Sequence, residues 1–198
     1  MLLEQAYSGA PTVANGKSRT TVNEFADQQP ALRPELLREV RDRLCALGPF
    51  AADKVLSEED KGAVLAGAVA LELGLPLAMA RWYTYDMETF GGISTPILSE
   101  YFEGRLYVNG IEPGDRVLVV EDTISTGGTL ISLIDAVTLA GARVVAALAA
   151  IEKVEGGGVE RVRAETGVQV QTLVGIRIDP QTHRVRVVGP PPQSAVTS

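Results

Sequence analysis

The chain holds one cysteine, one histidine and one tryptophan among 198 residues. A lone Cys45 excludes an internal disulfide and is compatible with a reducing compartment. With only His183 beside it, no zinc site of the usual nitrogen and sulfur type can form. No run of about eighteen apolar residues is present, so no membrane-spanning helix is expected. The N-terminus lacks the basic-then-apolar pattern of a secretory signal, and a cytoplasmic location is expected. Basic residues are outnumbered, 18 Lys and Arg against 25 Asp and Glu, for a net charge of −7. That balance weighs against a general nucleic-acid binder, so neither nucleic acid nor membrane is an expected partner. Two phosphate-binding signatures are also missing: the Gly-Lys-Ser/Thr of a P-loop and the Gly-x-Gly-x-x-Gly of a dinucleotide fold.

What is present is ordinary for one globular domain with a substantial core: 45% apolar and 22% charged residues. Arg33–Leu47 reads as a helix, with Pro34 in its first turn and Leu36, Val40 and Leu44 on one face. Lys54–Ser57 reads as a strand, followed by a helix over Ala63–Leu73 that ends at Gly74. Pro76–Arg81 is a strand that delivers Arg81 at its end. Further strands are expected at Arg143–Ile151, Val168–Ile178 and Arg184–Val188. Such alternation indicates an α/β fold, a parallel sheet flanked by helices. Ligands on these sheets bind beyond the carboxyl ends of the strands, where residues 58–62, Arg81 and residues 121–129 fall. The expected organisation is a loosely ordered arm over residues 1–17, a single domain over 18–188 and a disordered tail over 189–198. Phe25, in a polar stretch, either packs on the domain or forms part of a hood over the ligand.

The organising stretch is Arg116–Leu130. Val117–Val120 is a short apolar run with β-branched residues and reads as a buried strand. It ends on Glu121 and Asp122. Ser125, Thr126, Gly127, Gly128 and Thr129 follow, and Leu130–Ala140 is apolar at helical spacing. A Gly and hydroxyl loop opening a helix suits a phosphate, because backbone N–H groups and the helix dipole converge there. Two carboxylates beside that loop would repel the same phosphate. The pattern makes sense for a ligand with an anion at one end and a diol or metal ion at the other, as in a ribose 5-phosphate.

This stretch resembles the phosphoribosyl-pyrophosphate motif of type I phosphoribosyltransferases. The resemblance implies the fold of that family, with a flexible lid and a small hood, and transfer of phosphoribosyl to a purine or purine-like base with release of pyrophosphate. It implies phosphoribosyl pyrophosphate and a nucleobase as partners, a homodimer, and Mg2+ held mainly by substrate with Glu121 and Asp122 as possible ligands. Glu121 and Asp122 would face the ribose hydroxyls and Ser125 to Thr129 the 5-phosphate, with Thr123 a further substrate-binding residue. The Glu-x-x-Gly loop from Glu59 to Gly62, with Lys61, is similar to the pyrophosphate loop of these enzymes. Together with Arg81, Tyr85, Leu106–Gly110 and the Ser-Thr-Gly-Gly-Thr loop, it looks most like the archaeal hypoxanthine and related purine enzymes. Ser99-Glu100-Tyr101 is similar to part of the lid of adenine enzymes. The resemblance makes Arg81, Glu100 and Asp122 the catalytic candidates, and Lys153 a residue placed to reach a 6-oxo group.

Three departures bear on this. Trp82 stands where archaeal relatives have a basic residue. Ser125 stands where some 6-oxopurine enzymes have an aspartate. From Trp82 to Gly104 there is no Lys or Arg, unlike the lid of orotate-type enzymes, which places a pyrimidine enzyme third. A regulator that senses phosphoribosyl pyrophosphate without turnover ranks second, since no helix-turn-helix fits before residue 33. The long stretch 82–105 lacks a core pattern, holds Gly91-Gly92 and several aromatics, and reads as the lid.

Overall fold

The computed structural model describes residues 1–16, 18–82, 92–98 and 103–189. In chain order it contains α1 (Leu2–Tyr7), β1 (Thr12–Asn15), β2 (Ser18–Thr21), α2 (Glu24–Asp27), α3 (Pro34–Cys45), β3 (Lys54–Glu58), α4 (Lys61–Leu73) and β4 (Leu77–Arg81). Then come β5 (Ile93–Leu98), β6 (Glu103–Val108), β7 (Arg116–Ile124), α5 (Gly128–Leu139), β8 (Arg143–Lys153), a 3-10 turn (Val154–Gly156), α6 (Gly158–Thr166), β9 (Val170–Ile178) and β10 (Val185–Gly189).

Eight strands form one sheet in the order β10-β9-β8-β7-β3-β4-β6-β5. Its five central strands run parallel, while β10 at one edge and the β5–β6 pair at the other are antiparallel. Both faces are covered. Leu118 and Val120 of β7 join Leu36, Val40 and Leu44 of α3 and Leu65 and Val69 of α4 in one core. Val117 and Val119 join Leu133 and Val137 of α5 and Val162 of α6 in the other. The unbroken apolar run of β7 follows from this two-sided burial. Because β3, β4, β7 and β8 are parallel, Glu58, Arg81, Ile124 and Lys153 all end at one edge of the sheet.

Two expectations change, one open alternative is settled and one helix is added. The arm expected over residues 1–17 is a packed element: α1 buries Leu3 and Tyr7 completely. Its open N-terminus is held from α3, where the Glu39 carboxylate accepts from Leu2 N at 2.8 Å and Leu3 N at 3.2 Å. Phe25 is buried in the α3–α4 core rather than hooded over a ligand. The lid stretch is in part an antiparallel hairpin, β5 paired with β6, with Ile97 and Leu106 buried against the α5 side. Residues 83–91 and 99–102, including Tyr85, Gly91 and Glu100, lie outside the described residues, as do 190–198. Finally, the Gly-rich segment after Lys153 continues into α6, a helix that its weak apolar pattern concealed.

Candidate active site

A cavity of about 500 Å³ opens at the carboxyl edge of the sheet. Its floor is the end of β7 and the loop to α5; its sides are the ends of β3, β4 and β8; the β1–β2 hairpin roofs it with Asn15, Thr20 and Thr21. The hairpin supplies the small hood. Lys153 ties it down, its Nζ donating to the Arg19 carbonyl at 3.0 Å.

At the phosphate end, Gly127 sits at the N-cap of α5 with φ +80° and brings no side chain to the first helical turn. Gly128 and Thr129 form that turn, and Ser125 to Leu130 all line the cavity. The helix start therefore faces the cavity, a geometry that suits an anion. The loop is supported from below by α6 and the turn before it. Arg161 Nη1 donates to the Thr126 carbonyl at 3.2 Å. A Cβ on Gly156 or Gly158 would overlap the Ser125 carbonyl, so both positions need glycine for close approach. The run Gly156-Gly157-Gly158 is visible in the sequence, but its contact with the phosphate loop is a tertiary one that local pattern does not show.

At the opposite side three carboxylates are buried together: Glu58, Glu121 and Asp122 are 6%, 3% and 6% exposed. Glu121 turns toward β3 and accepts from Glu58 N at 3.2 Å and Ser57 Oγ at 3.4 Å. Asp122 accepts from Thr123 Oγ1 at 2.9 Å. Burial pushes all three carboxyls up; the Glu58 and Asp122 charges push Glu121 further, and Glu58 is raised to about 7. Carboxylates crowded in this way suit a diol or a cation, either of which would relieve the repulsion. Among the described residues no three His, Cys, Asp or Glu side chains group as a metal cage. The donor set therefore fits a Mg2+ that arrives with an anionic ligand and takes at most Glu121 or Asp122 from the protein.

The pyrophosphate-loop residues are arranged differently from expectation. Lys61 and Gly62 form the first turn of α4, not a free loop. Lys61 Nζ is paired with Asp27 at 2.7 Å, although it still lines the cavity. Glu59 bridges two strand ends: it accepts from Trp82 N at 2.7 Å and from Arg81 Nη1 at 3.4 Å. Trp82 lines the cavity and donates its indole N–H to Glu58 at 3.1 Å. Of the described candidates, Lys61, Glu121 to Thr123, Ser125 to Thr129 and Lys153 line the cavity, whereas Glu59, Gly62 and Arg81 do not. The structure adds Glu58, which carried no motif of its own.

Residues 36–181, which hold the acidic pair of β7 and the Gly127 helix start but not the roofing hairpin, match one family model, the phosphoribosyl transferase domain. The chain belongs to the phosphoribosyltransferase family. A hypoxanthine/guanine phosphoribosyltransferase of Methanocaldococcus jannaschii is 36% identical over 179 residues, covering 90% of this chain and 96% of that protein. One of the same name from Methanosalsum zhilinae is 36% identical over 181 residues, covering 90% and 93%. Among solved structures, an adenine phosphoribosyltransferase from Rhodothermus marinus superposes with a TM-score of 0.71 at 28% identity, covering 87% of this chain and 97% of that one. In this phosphoribosyltransferase, then, the resemblance noted at Arg116–Leu130 extends over nearly the whole chain.

Proposed function

We propose that this phosphoribosyltransferase joins a purine, in first place the 6-oxopurines hypoxanthine and guanine, to phosphoribosyl pyrophosphate. The observation that carries the reading is a single cavity holding an uncapped helix start at Gly127 and, across from it, the Glu121–Asp122 pair. The helix start takes the 5-phosphate, and the carboxylates accept from the ribose hydroxyls. The names of the relatives support the 6-oxopurine; Lys153, buried at the cavity wall, would reach a 6-oxo group on leaving the Arg19 carbonyl.

In the reaction the C1–oxygen bond to pyrophosphate breaks and that oxygen keeps the electron pair. A base nitrogen forms the new bond to C1 and releases its proton. Positive charge develops on the sugar, and Asp122 is placed to stabilise it. Mg2+ supplies neutralisation of the departing pyrophosphate. Arg81 adds positive charge at the same end, and Glu100 acts from the lid on the base. Excluding water from the cationic sugar is the task of the hood and the lid. We place the enzyme in the cytoplasm as a homodimer, which light scattering would check.

The test is calorimetric titration of Mg–phosphoribosyl pyrophosphate into the wild type and into the Glu121→Gln, Asp122→Asn double variant. The wild type should bind and the folded variant should not. Equal affinity in the two would remove the ribose assignment.

A further inference from the structure

Two backbone amides of the Glu59–Gly62 segment, likened above to a pyrophosphate loop, are already engaged. Asp60 N donates to Glu58 Oε2 at 3.0 Å, and Gly62 N approaches Glu58 Oε1 at 3.4 Å. The Trp82 indole N–H donates to the same Oε2 at 3.1 Å. Three donors from the start of α4 and the end of β4 therefore converge on one carboxylate that is 6% exposed and borders the cavity. The cations of this end are engaged in the same manner, Lys61 by Asp27 and Arg81 by Glu59.

Resting on the phosphoribosyltransferase reading above, we propose that Glu58 occupies the pyrophosphate seat of the ligand-free enzyme and must leave it for the phosphoribosyl donor to bind. Glu58 is then the residue that sets the affinity for that donor. The carboxylate presents two oxygens to N–H groups at a helix start, as a phosphate would. It is poorly placed in one respect: Glu121 and Asp122 lie close enough to repel it. An incoming pyrophosphate accompanied by Mg2+ offers the same donors a better anion and removes that repulsion. Trp82 is the second part of the device. A lysine or arginine at position 82 would pull a carboxylate toward itself as an ion pair. The neutral indole instead contributes one hydrogen bond, which can be given up at small cost.

The experiment is titration of Mg–pyrophosphate into the wild type, Glu58→Gln and Glu58→Ala, with circular dichroism confirming the fold of each. Removing a group that occupies the seat raises the binding-competent fraction, and both variants should bind about tenfold more tightly. Should the alanine variant fail to fold, the isosteric glutamine variant carries the comparison alone. Trp82 is the single tryptophan, so its emission reports on the site directly. Saturating the wild type should shift that emission, and ligand-free Glu58→Ala should already resemble the shifted state. Equal or weaker binding by folded variants, or unchanged emission at saturation, overturns the proposal. Absence of binding by all three proteins, to phosphoribosyl pyrophosphate as well, overturns the parent reading and this one with it.

Discussion

The Glu121 carboxylate fills the space that a side chain on Gly62 would need: a methyl group at position 62 would lie 2.7 Å from Glu121 Oε2 and 2.6 Å from Ser57 Oγ. The acidic pair of β7 and the first turn of α4 are thus fitted to each other, and Glu121 reaches across to β3 because residue 62 has no side chain.

Replacing Gly62 with alanine should destabilise the protein even though it sits in a helix. Overpacking against two buried polar groups costs about 1–3 kcal/mol. Alanine regains roughly 1 kcal/mol in helix propensity, which leaves a net loss on the order of 1 kcal/mol. Gly67, in the middle of the same helix, has nothing within 4 Å of its Cβ position. Gly67→Ala should therefore stabilise by about 0.5–1 kcal/mol. Urea midpoints of the two variants should move in opposite directions; movement in the same direction contradicts the packing argument.

Gly127→Ala should loosen the phosphate loop. The residue is left-handed at φ +80°, and its Cβ would meet the Gly158 carbonyl at 2.8 Å and Val162 Cγ2 at 2.9 Å. The strain falls on the α6 side and not within the cavity, so the loop must shift as a whole. A loss of about 1–3 kcal/mol is expected, together with weaker binding of ribose 5-phosphate. Heat protection by ribose 5-phosphate equal to that of the wild type would show that the phosphate is held elsewhere.

The parts of this architecture carried by short-range pattern were legible in the sequence. The β7 run, the helix ending at Gly74, the Ser-Thr-Gly-Gly-Thr loop and the alternation of strand and helix that implies a parallel sheet all follow from local periodicity and punctuation. Distant pairing was hidden. The six residues of α1 show little amphipathic pattern, and they are fixed by Glu39 and by burial of Tyr7 beside Asn23 and Thr123. Likewise, Gly156 and Gly158 are required by the Ser125 carbonyl, about thirty residues earlier in the chain. Lys61 looked like a cation for pyrophosphate because Asp27, its partner, lies 34 positions away. Glu58 was hidden for a related reason, since a glutamate among charged neighbours reads as solvated until strand register places it inside.

The ligand-free enzyme should lose stability as pH rises from about 4.5 to 7. Glu58, Glu121 and Asp122 hold their protons more tightly folded than unfolded. Their contribution is present below the unfolded carboxylate value, near pH 4.3, and fades as pH climbs through the folded values. For Glu58, a rise from 4.5 to about 7 corresponds to a loss of about 3 kcal/mol. Asp53, held at about 2 beside Arg116, acts in a lower window and does not offset this. Thermal midpoints across that range should fall in the wild type and fall less in Glu58→Gln. Parallel curves would mean that Glu58 is not buried as described.

The most direct measurement is pyrophosphate release from Mg–phosphoribosyl pyrophosphate with hypoxanthine, guanine, adenine and orotate in turn. The account predicts turnover with hypoxanthine and guanine, a lower kcat/KM with adenine, none with orotate, and loss of all turnover in the Glu121→Gln, Asp122→Asn variant. Binding of phosphoribosyl pyrophosphate without release of pyrophosphate for any purine would contradict it and leave a sensor in place of an enzyme.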